Sequence, residues 1–228
     1  MTSRTSIAKA PPLATVIKLG GSVAESGRLA LIVPIVAAAR APVIVVPGGG
    51  TFADAVRVAQ AELGFDDAIA HHMAILAMHQ TAHMLAGLEA RLAPAETLPA
   101  IRRTLAEGRI PVWLPWKLSE HDTTIPTDWS VTSDGLAARL AERLGRASVV
   151  LLKSCRVPDG ATLQRLALAE TVDPTFVEIV ERARLSWRVL GAGDEDKLAV
   201  LLQSRPARPA PLKAGRRAAP PRAIARRK

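Results

Sequence analysis

Apolar positions in this chain gather into short unbroken runs, separated by longer stretches in which polar residues return every three or four places. The runs ATVIKLG, APVIVVPGGG, RIPVWLP, ASVVLLKS and SWRVLGAG have strand length and end in glycine, proline or polar residues. Between them, residues 24–40, 51–63 and 66–92 read as helices, the last two separated by Gly64. SDGLAARLAERLG, DPTFVEIVERA and DEDKLAVLLQS read as three more. Ser133 or Asp134 is the expected cap of the first of these and Gly145 its end, while Pro174 opens the second. Strands that are apolar throughout and alternate with helices belong to a parallel sheet covered on both faces. The expected fold is therefore α/β, a three-layer α/β/α sandwich with a mainly parallel central sheet.

A length of 228 residues suits one domain, expected over 15–204 between a flexible N-terminus (1–14) and a basic tail (205–228). The formal net charge of +9 suggests a nucleic-acid binder until the charges are located. Nine Lys or Arg and no acid lie in 205–228, leaving 21 basic and 21 acidic residues in 1–204. The body is neutral. With five prolines the tail is expected to be disordered, a solvated appendage rather than a nucleic-acid contact. No apolar stretch has the length of a membrane span, and the first residues lack the order of a signal peptide, so a cytoplasmic protein is expected. A single cysteine, Cys155, excludes an internal disulfide and is expected to be a small core residue.

Two features point to phosphate chemistry. Gly20 and Gly21, followed by Ser22, end the first strand, and Gly48, Gly49 and Gly50 end the second. Such turns let backbone N–H groups approach an oxyanion, and the helix that follows favours negative charge. Neither cluster matches the dinucleotide or P-loop fingerprint. Lys18 lies inside the first strand, where an unpaired charge costs several kcal/mol, so a partner for it is expected.

In this order, IKLGGS, VVPGGG, VTSDGLAARLA, VVLLKS and GAGDEDKLA resemble the motifs of the amino-acid kinase superfamily, which includes acetylglutamate, aspartate, uridylate and isopentenyl phosphate kinases. The resemblance covers residues 15–203. It implies transfer of the ATP γ-phosphoryl, with Mg²⁺ on the nucleotide, to a small acceptor held at the glycine clusters in the N-terminal half. The nucleotide would lie over the C-terminal half, at Lys153, Ser154, Gly191 and Gly193. The same resemblance makes Lys18 the lysine on the transferring phosphoryl, Lys197 the second lysine and Asp134 the aspartate that orients them. VPGGGTFADAVR, AHHMAILAM, PVWLPWKL and DWSVTSDGLA resemble one branch, the kinases of (5-aminomethyl-furan-3-yl)methyl phosphate in methanofuran biosynthesis and their methylotroph relatives. A phosphorylated small-molecule substrate follows from that likeness. Two departures stand out. Ala192, Gly193 and Asp194 replace the usual Gly-Gly-Met, and Pro126, Thr127, Asp128 and Trp129 stand where the branch tends to read PHSW.

Further candidates surround the presumed crevice. Asp54 and Arg57 lie three apart after the GGG and share a helix face, either as an acceptor-binding pair for an ammonium and a phosphate or as a solvated ion pair. Trp116 and Trp129 flank a loop and either wall the acceptor or pack in the core. His71 matches the family's AH, which implies acceptor contact. His79 and His83 have chelating spacing, but no third ligand joins them, so no metal site is expected. A homo-oligomer is expected, with residues 66–92 as a candidate interface. The competing reading is a non-catalytic oxyanion- or nucleotide-binding protein on the same fold.

Overall fold

The computed structural model describes residues 14–145 and 147–203; the expectations for the N-terminus and the basic tail otherwise fall outside them. In chain order the elements are β1 (Ala14–Leu19), α1 (Gly21–Glu25), α2 (Leu29–Ala37), β2 (Val43–Pro47), α3 (Gly50–Leu63) and α4 (Asp67–Leu88). There follow β3 (Leu92–Ala95), α5 (Leu98–Ala106), β4 (Ile110–Trp113), α6 (Trp116–Ser119) and α7 (Ser133–Leu144). The chain continues with β5 (Ala147–Leu152), α8 (Leu163–Leu168), α9 (Pro174–Arg182), β6 (Ser186–Leu190) and α10 (Glu195–Leu201). The strands form one sheet in the order β3-β4-β2-β1-β5-β6, and every pairing is parallel.

Alternate residues of each central strand enter different cores, as the two-residue period of a strand demands. Val16, Ile44, Val46, Val149 and Leu151 meet α5, α7, α8 and α9 on one face. Ile17, Leu19, Val43, Val45, Val150 and Leu152 meet α1, α2 and α10 on the other. The long α4 contributes Ile75 and Met78 to the first core and Ala82 and Leu85 to the second. Sheet and flanking helices make the expected sandwich.

Local chemistry explains where the expected elements differ. The helix expected over 24–40 is two helices, because Gly27 takes a left-handed φ of 73° between them. The helix expected over 66–92 stops at Leu88, where Glu89 turns extended, and Leu92–Ala95 becomes a strand. That strand is short and contains Pro94; β3 lies at the sheet edge, where a residue with no N–H to donate is readily placed. Neither Ser133 nor Asp134 caps α7. Thr132 does, accepting the Asp134 N–H at 3.2 Å, which leaves the Asp134 carboxylate free to point elsewhere. Cys155 is exposed rather than buried, because it lies in the turn after β5 where the chain leaves the sheet.

Candidate active site

Period two also aims the charged groups. Lys18 follows Val16 by two residues and Lys153 follows Leu151 by two, so both leave the carboxyl ends of adjacent strands on the α7 side. Lys18 sits opposite Leu151 in the β1–β5 register. Between the two ammonium groups stands Asp134, in the first turn of α7 and only 2% exposed. Its Oδ1 is 2.9 Å from Lys18 Nζ and its Oδ2 2.5 Å from Lys153 Nζ. Burial would raise the Asp134 carboxyl, but the two ammonium charges outweigh it and hold the group below the usual carboxylate range. Burial, and then the Lys18 charge, push Lys153 below the usual lysine range despite Asp134. The partner expected for Lys18 exists, and the trio carries one net positive charge.

The glycines prove to have a packing role. A Cβ on Gly21 would stand 2.1 Å from the Gly50 Cα, and one on Gly48 2.5 Å from the Gly21 N, so the two turns interlock without side chains. A Cβ on Gly20 would stand 2.9 Å from Lys18 Nζ, which places the ammonium against the first turn. Gly21→Ala is therefore expected to destabilise the fold by about 1–3 kcal/mol, through overpacking of backbone against backbone. Gly87→Ala, within α4 with open space around it, is expected to be neutral or to stabilise by up to about 1 kcal/mol. Thermal unfolding of the two variants checks the contrast.

Two residues unmarked by any motif hold the trio in place. Arg28 donates to Lys153 O at 2.8 Å, to Gly191 O at 3.0 Å and to the Glu195 carboxylate, tying together the ends of β5 and β6 and the start of α10. Asp173 caps α9 through Phe176 N at 2.6 Å. Its other oxygen accepts from Thr132 N, Thr132 Oγ1 and Gly135 N at 2.9, 2.6 and 3.0 Å, pinning the turn that carries Asp134. Burial, and then the Asp134 charge, raise the Asp173 carboxyl. Neither role has a sequence signal, since each joins segments distant along the chain.

Beside the trio a pocket of about 230 Å³ is lined by Gly21, Ser22, Glu25, Gly49, Gly50, Asp54, Arg57, His71, Trp129 and the start of α7, among others. Asp54 and Arg57 share it as expected but do not pair. The Arg57 guanidinium lies 3.7 Å from the centroid of the Trp129 ring, so one face of that ring is already covered. Asp54 and Glu25 have no ion pair among the described residues. Glu25, which no motif marked, is the second carboxylate of this pocket. His71 is buried, and burial lowers its pKa more than the hydrogen bond with the Asp128 backbone raises it, so it is neutral at pH 7. Trp116 does not line the pocket; its ring lies tilted at 5.4 Å from that of His72, and its backbone N–H donates to His79 Nε2 at 3.1 Å.

Lys197 is elsewhere. Its ammonium is held by Asp159 at 2.5 Å and Asp194 at 2.9 Å, half exposed, on a crevice of about 270 Å³ that also involves Arg156 and Gly193. Ser154 lies in the turn between β5 and this crevice, and Gly191 packs against that turn, where a Cβ would meet Val157 N at 2.5 Å. Among the described residues no three His, Cys, Asp or Glu side chains are grouped to hold a metal ion, and both oxygens of Asp134 face ammonium groups. These side chains do not form a Mg²⁺ cage.

Comparison with known proteins finds relatives of this chain. The model described as "Amino acid kinase family" matches residues 14–156. A curated relative from Methanocaldococcus jannaschii, (5-aminomethyl-furan-3-yl)methyl phosphate kinase, is 21% identical over 207 residues, covering 83% of this chain and 93% of its own. The crystal structure of uridylate kinase from Archaeoglobus fulgidus superposes with a TM-score of 0.58 at 21% identity, covering 83% of this chain and 95% of that one. No described helix is long and apolar enough to cross a membrane.

Proposed function

The chain belongs to the amino acid kinase family, and we propose that it transfers the γ-phosphoryl group of ATP to the phosphate of a small phosphorylated metabolite. The acceptor we infer is (5-aminomethyl-furan-3-yl)methyl phosphate, converted to its diphosphate, as the name of the Methanocaldococcus relative suggests. The observation that carries this reading is the Lys18–Asp134–Lys153 cluster at the carboxyl ends of β1 and β5, set against the first glycine turn.

Phosphoryl transfer proceeds through a loose transition state and needs charge stabilisation and in-line positioning more than covalent catalysis. An acceptor phosphate oxygen forms the new P–O bond as the bond between the γ-phosphorus and the β,γ-bridging oxygen breaks, and ADP leaves. The acceptor phosphate has a second pKa of about 6, so at neutral pH it is mostly dianionic and has no proton to lose. A general base is unnecessary. In the pocket, Arg57 is the charged donor for the acceptor phosphate, since His71 is neutral. Glu25 and Asp54 suit an ammonium group.

A coupled ADP-release assay with MgATP across phosphorylated and carboxylate acceptors tests the proposal. The expected result is turnover with the aminomethylfuran phosphate exceeding that with analogues that lack the amine. Turnover with another phosphate or a carboxylate alone would keep the kinase and replace the acceptor. Nucleotide binding without turnover on any acceptor would favour a binding protein.

A further inference from the structure

The family resemblance assigns the second lysine of the reaction to Lys197, but that side chain does not reach the trio. We propose that Lys153, and not Lys197, supplies the second ammonium that stabilises the phosphoryl group in transit. This inference rests on the kinase reading and assigns a residue within it.

Three observations converge. First, Lys153 and Lys18 contact the two oxygens of one buried carboxylate, so a single side chain fixes both cations at the same place. Second, Lys153 is anchored on both sides of its own backbone. Its N–H donates to Leu190 O at 2.9 Å and its carbonyl accepts from Arg28 at 2.8 Å, so its position is set before any ligand arrives, as electrostatic catalysis requires. Third, Lys197 is committed to two carboxylates on an exposed surface, and its Asp159 and Asp194 partners would have to be released before it served a phosphoryl group.

The departure in sequence fits the same account. Where the family places Gly-Gly-Met ahead of its second lysine, this chain has Ala192, Gly193 and Asp194, and Asp194 is one of the residues that holds Lys197. The cation lost from that loop is replaced from the end of β5. Parallel pairing of β1 with β5 brings a lysine two residues past Leu151 next to one two residues past Val16.

The groups facing Lys153 are Lys18 from β1, Asp134 from α7 and Asp173 ahead of α9. Its lowered pKa means that the active ammonium form is lost on the alkaline side earlier than for an ordinary lysine. A guanidinium keeps its charge there.

Steady-state kinetics of Lys153→Ala, Lys153→Arg and Lys197→Ala decide the matter. Lys153→Ala is expected to lower kcat by about 10²-fold or more, with KM for ATP moving less. Lys153→Arg is expected to restore part of kcat and to move the alkaline limb of its pH profile upward, which a merely structural role would not do. Lys197→Ala is expected to act mainly on KM for ATP. If Lys153→Ala does not fold, the Arg variant and Lys197→Ala still give the answer. Loss of kcat in Lys197→Ala alongside an unshifted alkaline limb in Lys153→Arg would overturn the inference, as would an active Lys153→Ala. ADP release by the unmodified chain on no acceptor would overturn the kinase reading and this inference together.

Discussion

Asp134→Ala is expected to destabilise the folded chain by about 3–5 kcal/mol, the usual cost of removing one partner from a buried ion pair. Removing the carboxylate leaves the Lys18 and Lys153 ammonium groups side by side with no carboxylate between them and only Asp173 facing Lys153, in a place largely closed to water. Asp134→Asn keeps the shape and loses the charge, so it is expected to lie between the wild-type chain and Asp134→Ala. Denaturant unfolding of the three at neutral pH measures the differences. The sign of the pH dependence follows from the lowered pKa of Asp134. Its contribution is complete above the unfolded value of about 4 and disappears as pH falls through the lower folded value, so on the acid side the gap between wild type and Asp134→Ala closes over that range. An Asp134→Ala chain as stable as wild type at pH 7 would mean that the two lysines do not depend on this carboxylate. Phosphoryl transfer should be lost as well, because neither ammonium keeps its aim.

Lys18→Ala is expected to leave a folded protein with kcat reduced by about 10²–10³-fold, the scale seen when one preorganised transition-state donor is removed. The fold survives because Lys153 still pairs with Asp134 at 2.5 Å. Turnover falls because the ammonium at the Gly20 turn, near where the acceptor and nucleotide phosphates would meet, is gone. Lys18→Arg is expected to recover little. The Lys18 ammonium fills the space that a Cβ on Gly20 would need, 2.9 Å away, and a larger planar guanidinium does not fit that place. ADP release together with near-ultraviolet circular dichroism of the variant separates lost catalysis from lost folding. Unchanged turnover in Lys18→Ala would favour a non-catalytic nucleotide- or oxyanion-binding protein.

Local signals were sufficient where an element is buried on both sides or carries its own punctuation. Strands β1, β2, β4 and β5 follow from their largely apolar runs, and α7 and α9 from Gly145 and Pro174. They failed at β3, whose LAPA sequence has weak strand character and becomes a strand because β4 offers a parallel partner at the sheet edge. They also failed for the cap of α7, since Thr132, Ser133 and Asp134 are all suitable caps and only packing selects one. At the site, the two glycine turns and the need of Lys18 for a partner were legible. That the turns also interlock was not, because the close approach of Gly21 to Gly50 joins residues from different strand ends. Arg28 and Asp173 left no trace for the same reason.

From the chain alone one can read an alternating α/β pattern, a neutral body with a basic tail, two glycine-rich strand ends and a lysine that needed a partner. Each is a property of neighbouring residues, and local periodicity and turn chemistry are enough to express it. Folding decided which lysine stands beside Lys18. The resemblance gave Lys197 that place and Lys153 a nucleotide contact, and strand register reversed it: parallel pairing with β1 puts Lys153 at the Asp134 carboxylate, while Asp159 and Asp194 hold Lys197 at the surface. Charges assemble by distance in space, and that distance exists only once the sheet has closed.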